Sequence, residues 1–375
     1  MNVLAVRQDN NGDVLLMGPA LRALAARASR LALVCGPSGY AAASALPGVD
    51  DVLVFEAGWI EANPHAIDRA VTRAFVDRVA RLHVDDAVIF TSFHQSPLPM
   101  ALLLRMAGVA RISAISEDYP GTLLDVRHRD VPHDAHEVER ALSLARAAGY
   151  ELPPHDEARL SMRVAERNPV AHLAPYVVLH PGATVPARAW DPRANRDLVA
   201  ALTARGETVV VTGGACEREL CAYVAGGDAR KLAGGDAISL TGAGAANLAG
   251  ETDFVTLARV IADADALIVG NTGAAHVAAA VGTPVVSLFA PTIPAARFRP
   301  WMVAHVLLGD QDIVCRGCRA RTCPLEDQPC LGVVTVDDVL AALASLRASR
   351  ALAQTAELRA GAHVCTPQLR RGAHI

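Results

Sequence analysis

Two short segments carry side chains that could do chemistry. Gln8-Asp9-Asn10-Asn11-Gly12-Asp13-Val14 sets two carboxylates around a glycine, whereas Gly270-Asn271-Thr272-Gly273-Ala274-Ala275-His276 offers an amide, a hydroxyl and an imidazole but no carboxylate. A carboxylate on a loop can take the proton of an attacking hydroxyl. A glycine-rich loop that runs into a helix presents backbone N–H groups and the positive end of the helix dipole, which together hold phosphates. The pair suits a group transfer in which one half of the chain sets a base against an acceptor and the other grips the phosphates of an activated donor. Plainer roles exist: Asp before a helix caps it by accepting N–H bonds, and a lone His on an apolar face can be a satisfied core residue.

Each segment needs elements to position it. Val3–Val6 and Ala266–Val269 are apolar strand-like runs that feed the two loops, and Ala/Leu-rich helical patterns follow both. The same alternation fills the chain. In the first half strands are expected at Val3–Val6, Leu31–Val34, Val52–Phe55, Ala87–Phe90 and Arg111–Ile115, with helices around 14–28, 65–82, 97–107 and 134–148. In the second half they are expected at Tyr176–His180, Thr208–Thr212, Ala237–Leu240, Ala266–Val269 and Pro284–Phe289, with helices near 192–205, 215–225, 253–263, 273–281 and 335–348. Near-continuous apolar strands alternating with helices predict parallel sheets covered on both faces, hence an α/β chain of two Rossmann-like domains facing across a cleft. The expected units are 1–168, 172–348 and a tail, 349–375, that is partly helical or disordered.

The motifs resemble those of glycosyltransferase family 9, the lipopolysaccharide heptosyltransferase-like family. Asp9 to Val14 with Pro19 and Leu21 matches its N-terminal signature. Further matches are His180-Pro181-Gly182-Ala183 with Arg188 and Trp190, Thr212-Gly213-Gly214 with Glu217, Leu248 to Thr252, and the run from Asn271 through His276 and Gly282-Thr283-Pro284 to Phe289-Ala290-Pro291-Thr292. The resemblance covers roughly residues 1–345, in the family's order. It implies a GT-B architecture and an inverting transfer of a sugar, foremost heptose from ADP-heptose, from a nucleotide diphosphate to a hydroxyl of a glycan, glycolipid or small molecule.

The resemblance also implies roles. Asp13 stands at the position of the general base, with Gly12 letting it approach the acceptor and Asp9 beside it. Thr184 and Arg188 would reach phosphate oxygens; the family commonly has Lys where Arg188 stands, and Arg serves by a bidentate fork. Glu217 resembles the acid that holds the nucleotide ribose. Asn271, Thr272, Gly273 and His276 complete the donor set, although Asn271 stands where the family often has Asp, so hydrogen bonding is kept and charge is lost. His94, Arg127 and Arg129, on polar loops of the first half, are candidates for reading the acceptor. No metal cofactor is expected, since Arg188 and the helix end can neutralise the leaving diphosphate.

Composition sets outer bounds. The chain has 375 residues, 52% of them hydrophobic and 20% charged, a formal charge of −4 and a pI near 6.3, so nothing points to nucleic acid or to more than peripheral membrane association. Lys231 is the only lysine among the basic residues. Residues 266–296 lack Asp, Glu, Lys and Arg, but glycines and prolines cut the stretch and predict a buried α/β core. With no signal-peptide pattern at Met1 to Val6, a cytoplasmic enzyme is expected. Cys315, Cys318, Cys323 and Cys330 are spaced for a structural zinc ion, the alternative being free or packed thiols. Gly242-Ala243-Gly244-Ala245-Ala246-Asn247 raises a competing reading, an NAD-dependent oxidoreductase, but Asn247 replaces the third small residue of that fingerprint. A non-catalytic two-domain sugar-binding module is the other alternative.

Overall fold

The computed structural model describes residues 1–60, 66–92, 95–227, 230–231, 238–239 and 244–362, with side chains to residue 352. Its strands run β1 (Asn2–Arg7), β2 (Arg30–Cys35), β3 (Asp51–Val54), β4 (Asp86–Ile89), β5 (Arg111–Ile115) and β6 (Val126–His128) in the first half. The second half adds β7 (Tyr176–His180), β8 (Thr208–Val211), β9 (Arg230–Lys231), β10 (Ile238–Ser239), β11 (Ala245–Asn247), β12 (Leu267–Gly270), β13 (Val285–Leu288) and β14 (His305–Leu308). The first six helices are α1 (Asn11–Leu16), α2 (Gly18–Ala25), α3 (Tyr40–Ala45), α4 (Arg69–Ala80), α5 (Leu98–Met106) and α6 (Glu137–Ala147). The others are α7 (Pro192–Ala204), α8 (Arg218–Ala225), α9 (Phe254–Ala262), α10 (Gly273–Val281), α11 (Ala295–Phe298), α12 (Pro329–Gly332) and α13 (Val336–Ala362).

Both sheets have six strands, all paired in parallel, in the orders β3-β2-β1-β4-β5-β6 and β11-β8-β7-β12-β13-β14. The strands are apolar because both faces are covered: Leu4, Ala5, Val177, Leu179 and Ile268 are buried completely. The chain order reverses between β1 and β4 in one sheet and between β7 and β12 in the other, and at such switch points a crevice opens beyond the strand C-termini. Both loops singled out in the sequence lie there, after β1 and after β12.

The two units do not stand apart. One apolar core holds Val14, Leu15 and Val138 from the first half together with Ala274, Ala275, Val277 and Ala278 from the second. Helices α1 and α10 touch so closely that a Cβ on Gly12 would come within 2.9 Å of the Gly273 Cα and 3.0 Å of the His276 ring. Thus the N-terminal turns of the two chemically interesting helices face each other, and Gly12 is the residue that permits it.

Several sequence expectations are corrected. The third strand of the second sheet is β11, not Ala237–Leu240, of which Ile238–Ser239 forms a two-stranded antiparallel pair with β9. β6 and β14, short and half-buried at the sheet edges, carry too weak an apolar run to be read. Helix α13 passes through residue 348 without a break, because its Ala/Leu/Arg run contains no breaker there, so the helix expected near 335–348 runs on to Ala362. Its residues Val339, Leu343 and Leu346 join the core of the second half. The dinucleotide reading also fails: of its segment, Ala245–Asn247 is itself an edge strand rather than a strand-to-helix turn. Among the described residues no helix is long and apolar enough to cross a membrane.

Candidate active site

Arg7 organises the first corner. It is the last residue of β1, 3% exposed, and its guanidinium meets Asp9 at 2.6 Å, Asp13 at 3.2 Å and Glu137 at 3.9 Å. It also donates to the Ser92 hydroxyl at 3.0 Å, and Gln95 donates to Asp9 at 2.6 Å, so the loop after β4 closes over the loop after β1. Asp9 is therefore held on two sides and is a structural partner of Arg7 in this structure. Asp13 sits in the first turn of α1, and its side chain keeps 22% of its surface exposed. Burial and the nearby charge of Asp9 push its carboxyl up to about 7, against the pull of Arg7 and, from across the cleft, of Arg188. A carboxylate poised near neutrality and open to the cleft can accept a proton.

The second corner is polar, buried and uncharged. Asn271 and His276 are each 5% exposed, and Asn271 Nδ2, Thr272 Oγ1 and His276 Nδ1 have no hydrogen-bond partner among the described residues. Thr272 is the N-cap residue of α10, yet its hydroxyl does not cap the helix. Burial, with His136 and Arg188 nearby, drives His276 down to about 3, so the imidazole is neutral at physiological pH. Gly270 is required because a Cβ there would lie 2.7 Å from the Arg188 carbonyl oxygen, which brings the loop after β7 across the end of β12. Arg188 itself is half-buried and donates to the Thr292 hydroxyl at 3.2 Å. Thr184 is exposed on the same loop.

Glu217 lies farther along this crevice, after β8. One carboxylate oxygen accepts from the Gly214 N–H at 2.7 Å, and a Cβ on Gly182 would overlap the other. The Pro-Gly turn after β7 and the Gly-Gly turn after β8 therefore meet at this carboxylate. Beneath them His180 and Thr212 share a hydrogen bond of 3.0 Å.

Other expected residues fall elsewhere. Arg127 lies on the edge strand β6 and donates to the backbone carbonyls of Ser116 (3.0 Å) and Glu117, and Arg129 is exposed just beyond it. The sheet order puts β5 between them and the β1/β4 switch point, so they are not brought to Asp13. His94 lies outside the described residues. The four clustered cysteines lie in and just before α12. Cys330 is buried with its thiol pushed up by burial and by Cys323 and Cys315, Cys318 is exposed, and all four are free. Among the described residues no group of three or more His, Cys, Asp or Glu is placed to share a metal ion.

Arg7, Glu137 and Arg297 were missed by the sequence reading. Arg297 donates to Glu137 from the second half of the chain, with a 3.1 Å bond from Nε and a shorter one from Nη2. Beside them the His136 ring lies tilted by 32° against that of Trp301, centroids 4.5 Å apart, and meets the Arg299 carbonyl oxygen at 2.9 Å. An Arg closing an apolar strand at a switch point was the one signal available.

Comparison with known proteins bears on the family and the fold. The model of glycosyltransferase family 9 (heptosyltransferase) matches residues 93–328. Lipopolysaccharide heptosyltransferase 1 of Pseudomonas aeruginosa is 28% identical over 352 residues, 86% of this chain and 87% of that protein. The solved structure of E. coli ADP-heptose LPS heptosyltransferase II has a TM-score of 0.69 at 20% identity, covering 93% of this chain and 99% of the other. E. coli heptosyltransferase WaaC with ADP gives 0.68 at 19% identity, covering 92% and 100%. The fold is thus the GT-B fold of these enzymes.

Proposed function

The chain belongs to glycosyltransferase family 9, the heptosyltransferase family, and from that premise we propose that it transfers a heptose from ADP-heptose to an acceptor hydroxyl with inversion, Asp13 acting as base. Asp13 takes the acceptor O–H proton while the freed oxygen bonds to the anomeric carbon. On the opposite face the bond from that carbon to the β-phosphate oxygen breaks, and ADP leaves with the electron pair. The open, near-neutral carboxylate of Asp13 facing the uncharged corner of α10 across the α1/α10 contact carries the reading.

On the donor side, the N-terminal N–H groups of α10, Asn271, Thr272 and Arg188 would bind the diphosphate, with Thr184 at the mouth and Glu217 toward the ribose. Positive charge from Arg188 and the helix end serves the leaving group, so turnover is expected to persist in EDTA. The donor sugar follows the relatives: WaaC has been solved with ADP-2-deoxy-2-fluoro heptose. The acceptor is a glycan, glycolipid or small molecule that carries the attacking hydroxyl, and a cytoplasmic setting is part of the proposal.

A panel of ADP-, UDP- and GDP-linked sugars tests this. ADP-heptose should raise the melting temperature most, a ligand at a hundred times its Kd adding about 2.7 kcal/mol to stability, and the product anomer should be opposite to the donor's. Equal response to UDP sugars, or a retained anomer, would refute the reading.

A further inference from the structure

The carboxylate farthest from expectation is Glu137. It is the first residue of α6, 4% exposed, and it lies among three guanidinium groups from three parts of the chain. Arg297, from α11 of the second half, binds it most closely; Arg140 stands at 3.5 Å and Arg7 at 3.9 Å. Arg7 in turn holds Asp13 and Asp9. A buried carboxylate needs such partners, because an unpaired charge at this depth costs several kcal/mol. Yet three cations are more than its neutralisation needs, and one of them, Arg7, also meets Asp13.

We propose that Glu137 is a positioning residue for the transfer: anchored to Arg297 of the donor-binding half, it shares Arg7 with Asp13 and so keeps that guanidinium from closing fully on the carboxylate that must accept the acceptor's proton. This inference rests on Asp13 being the base. Were Arg7 free of Glu137, its attraction would fall on Asp9 and Asp13 alone, and Asp13 would become a tighter ion-pair partner and a weaker base. The chain Asp13–Arg7–Glu137–Arg297 also crosses from one half of the molecule to the other. The base is therefore set correctly only when the donor-binding half is in place.

The charged and titratable groups facing this site are Arg7 from the end of β1, Asp9 from the loop after it, His136 at the N-cap of α6, Glu137 and Arg140 from α6, Arg297 from α11, Arg188 from the loop after β7, and His276 from α10. Of these, Asp9 and Glu137 raise the Asp13 carboxyl and Arg7 and Arg188 lower it. Removing the charge of Glu137 removes a raising influence and leaves Arg7 freer to act, so both consequences point the same way.

The test is the pH profile of kcat for Glu137→Gln, with ADP affinity measured alongside. The acid limb should move to lower pH by about one unit and the plateau should fall severalfold, while ADP binds as in the wild type. A merely structural Glu137 would lower kcat and leave the limb in place, and that result in a folded variant overturns the proposal. Glu137→Asp keeps the charge but shortens the reach, so its limb should stay at the wild-type pH while kcat falls. If the Gln variant does not fold, the Asp variant decides, since full turnover there would show that sharing of Arg7 is not required. The profile of Asp13→Asn separates the two claims: residual turnover that still shows the limb means that Asp13 is not the base, whatever Glu137 does.

Discussion

The two corners that meet at Gly12 and Gly273 are built on opposite principles. On the acceptor side the charges already have partners: Arg7 spans Asp9, Asp13 and Glu137, Gln95 supports Asp9, and Arg297 supports Glu137. On the donor side Asn271, Thr272 and His276 each keep a buried polar atom with no partner among the described residues. A buried donor or acceptor left unmade costs about 1–3 kcal/mol, so the second corner carries a cost that a ligand can remove. Under the proposed function the first is organised before substrate arrives and the second is completed by it. Reactivity would then be held in a fixed electrostatic frame, and binding energy drawn from groups that the donor satisfies.

The comparison breaks most visibly at Asp13. Asp13→Asn should lower kcat by roughly 10² to 10⁴, the range for loss of a general base, with ADP affinity by calorimetry nearly unchanged because the donor corner is untouched. The rate should be compared near pH 8. Since the Asp13 carboxyl is raised to about 7, its basic form is scarce below that pH and full above it, so wild-type kcat should climb through pH 7 and then level. Wild-type turnover in the Asn variant, or a flat profile from pH 5 to 8, would remove the base from this corner.

Arg188 tests the other side of the comparison, as a cation whose charge acts on the uncharged corner. Arg188→Ala should weaken ADP by about 1.5–3 kcal/mol, the worth of a hydrogen bond to a charged group, or roughly 10- to 150-fold in Kd. Unchanged ADP affinity would place Arg188 outside the donor site. A smaller rise of the Asp13 limb should accompany the loss, because Arg188 helps to hold that carboxyl down.

Much of this was legible in sequence. The strand-loop-helix corners at Asp9–Val14 and Gly270–His276 could be read because an apolar run, small residues and a helical period follow one another within a dozen positions. The network behind Asp13 could not. Arg7, Glu137 and Arg297 are separated by 130 and 160 positions and are joined only when α6 and α11 pack together. Arg127 shows the converse: a basic residue in a polar loop looks free, but on β6 it donates to the carbonyls of Ser116 and Glu117.

The smallest expected effect is the sharpest test of the difference between the corners. Thr272→Val keeps the shape of the side chain and removes a hydroxyl that makes no hydrogen bond among the described residues. In the absence of ligand nothing is lost with it, so the melting temperature of the free protein should stay the same or rise slightly. With ADP bound, the variant should be weaker by about 0.5–1.5 kcal/mol, one ordinary hydrogen bond, because the hydroxyl is satisfied only there. The opposite pattern, a lower melting temperature with unchanged ADP affinity, would show that Thr272 works as a helix cap, and that the donor corner is organised in advance as the acceptor corner is.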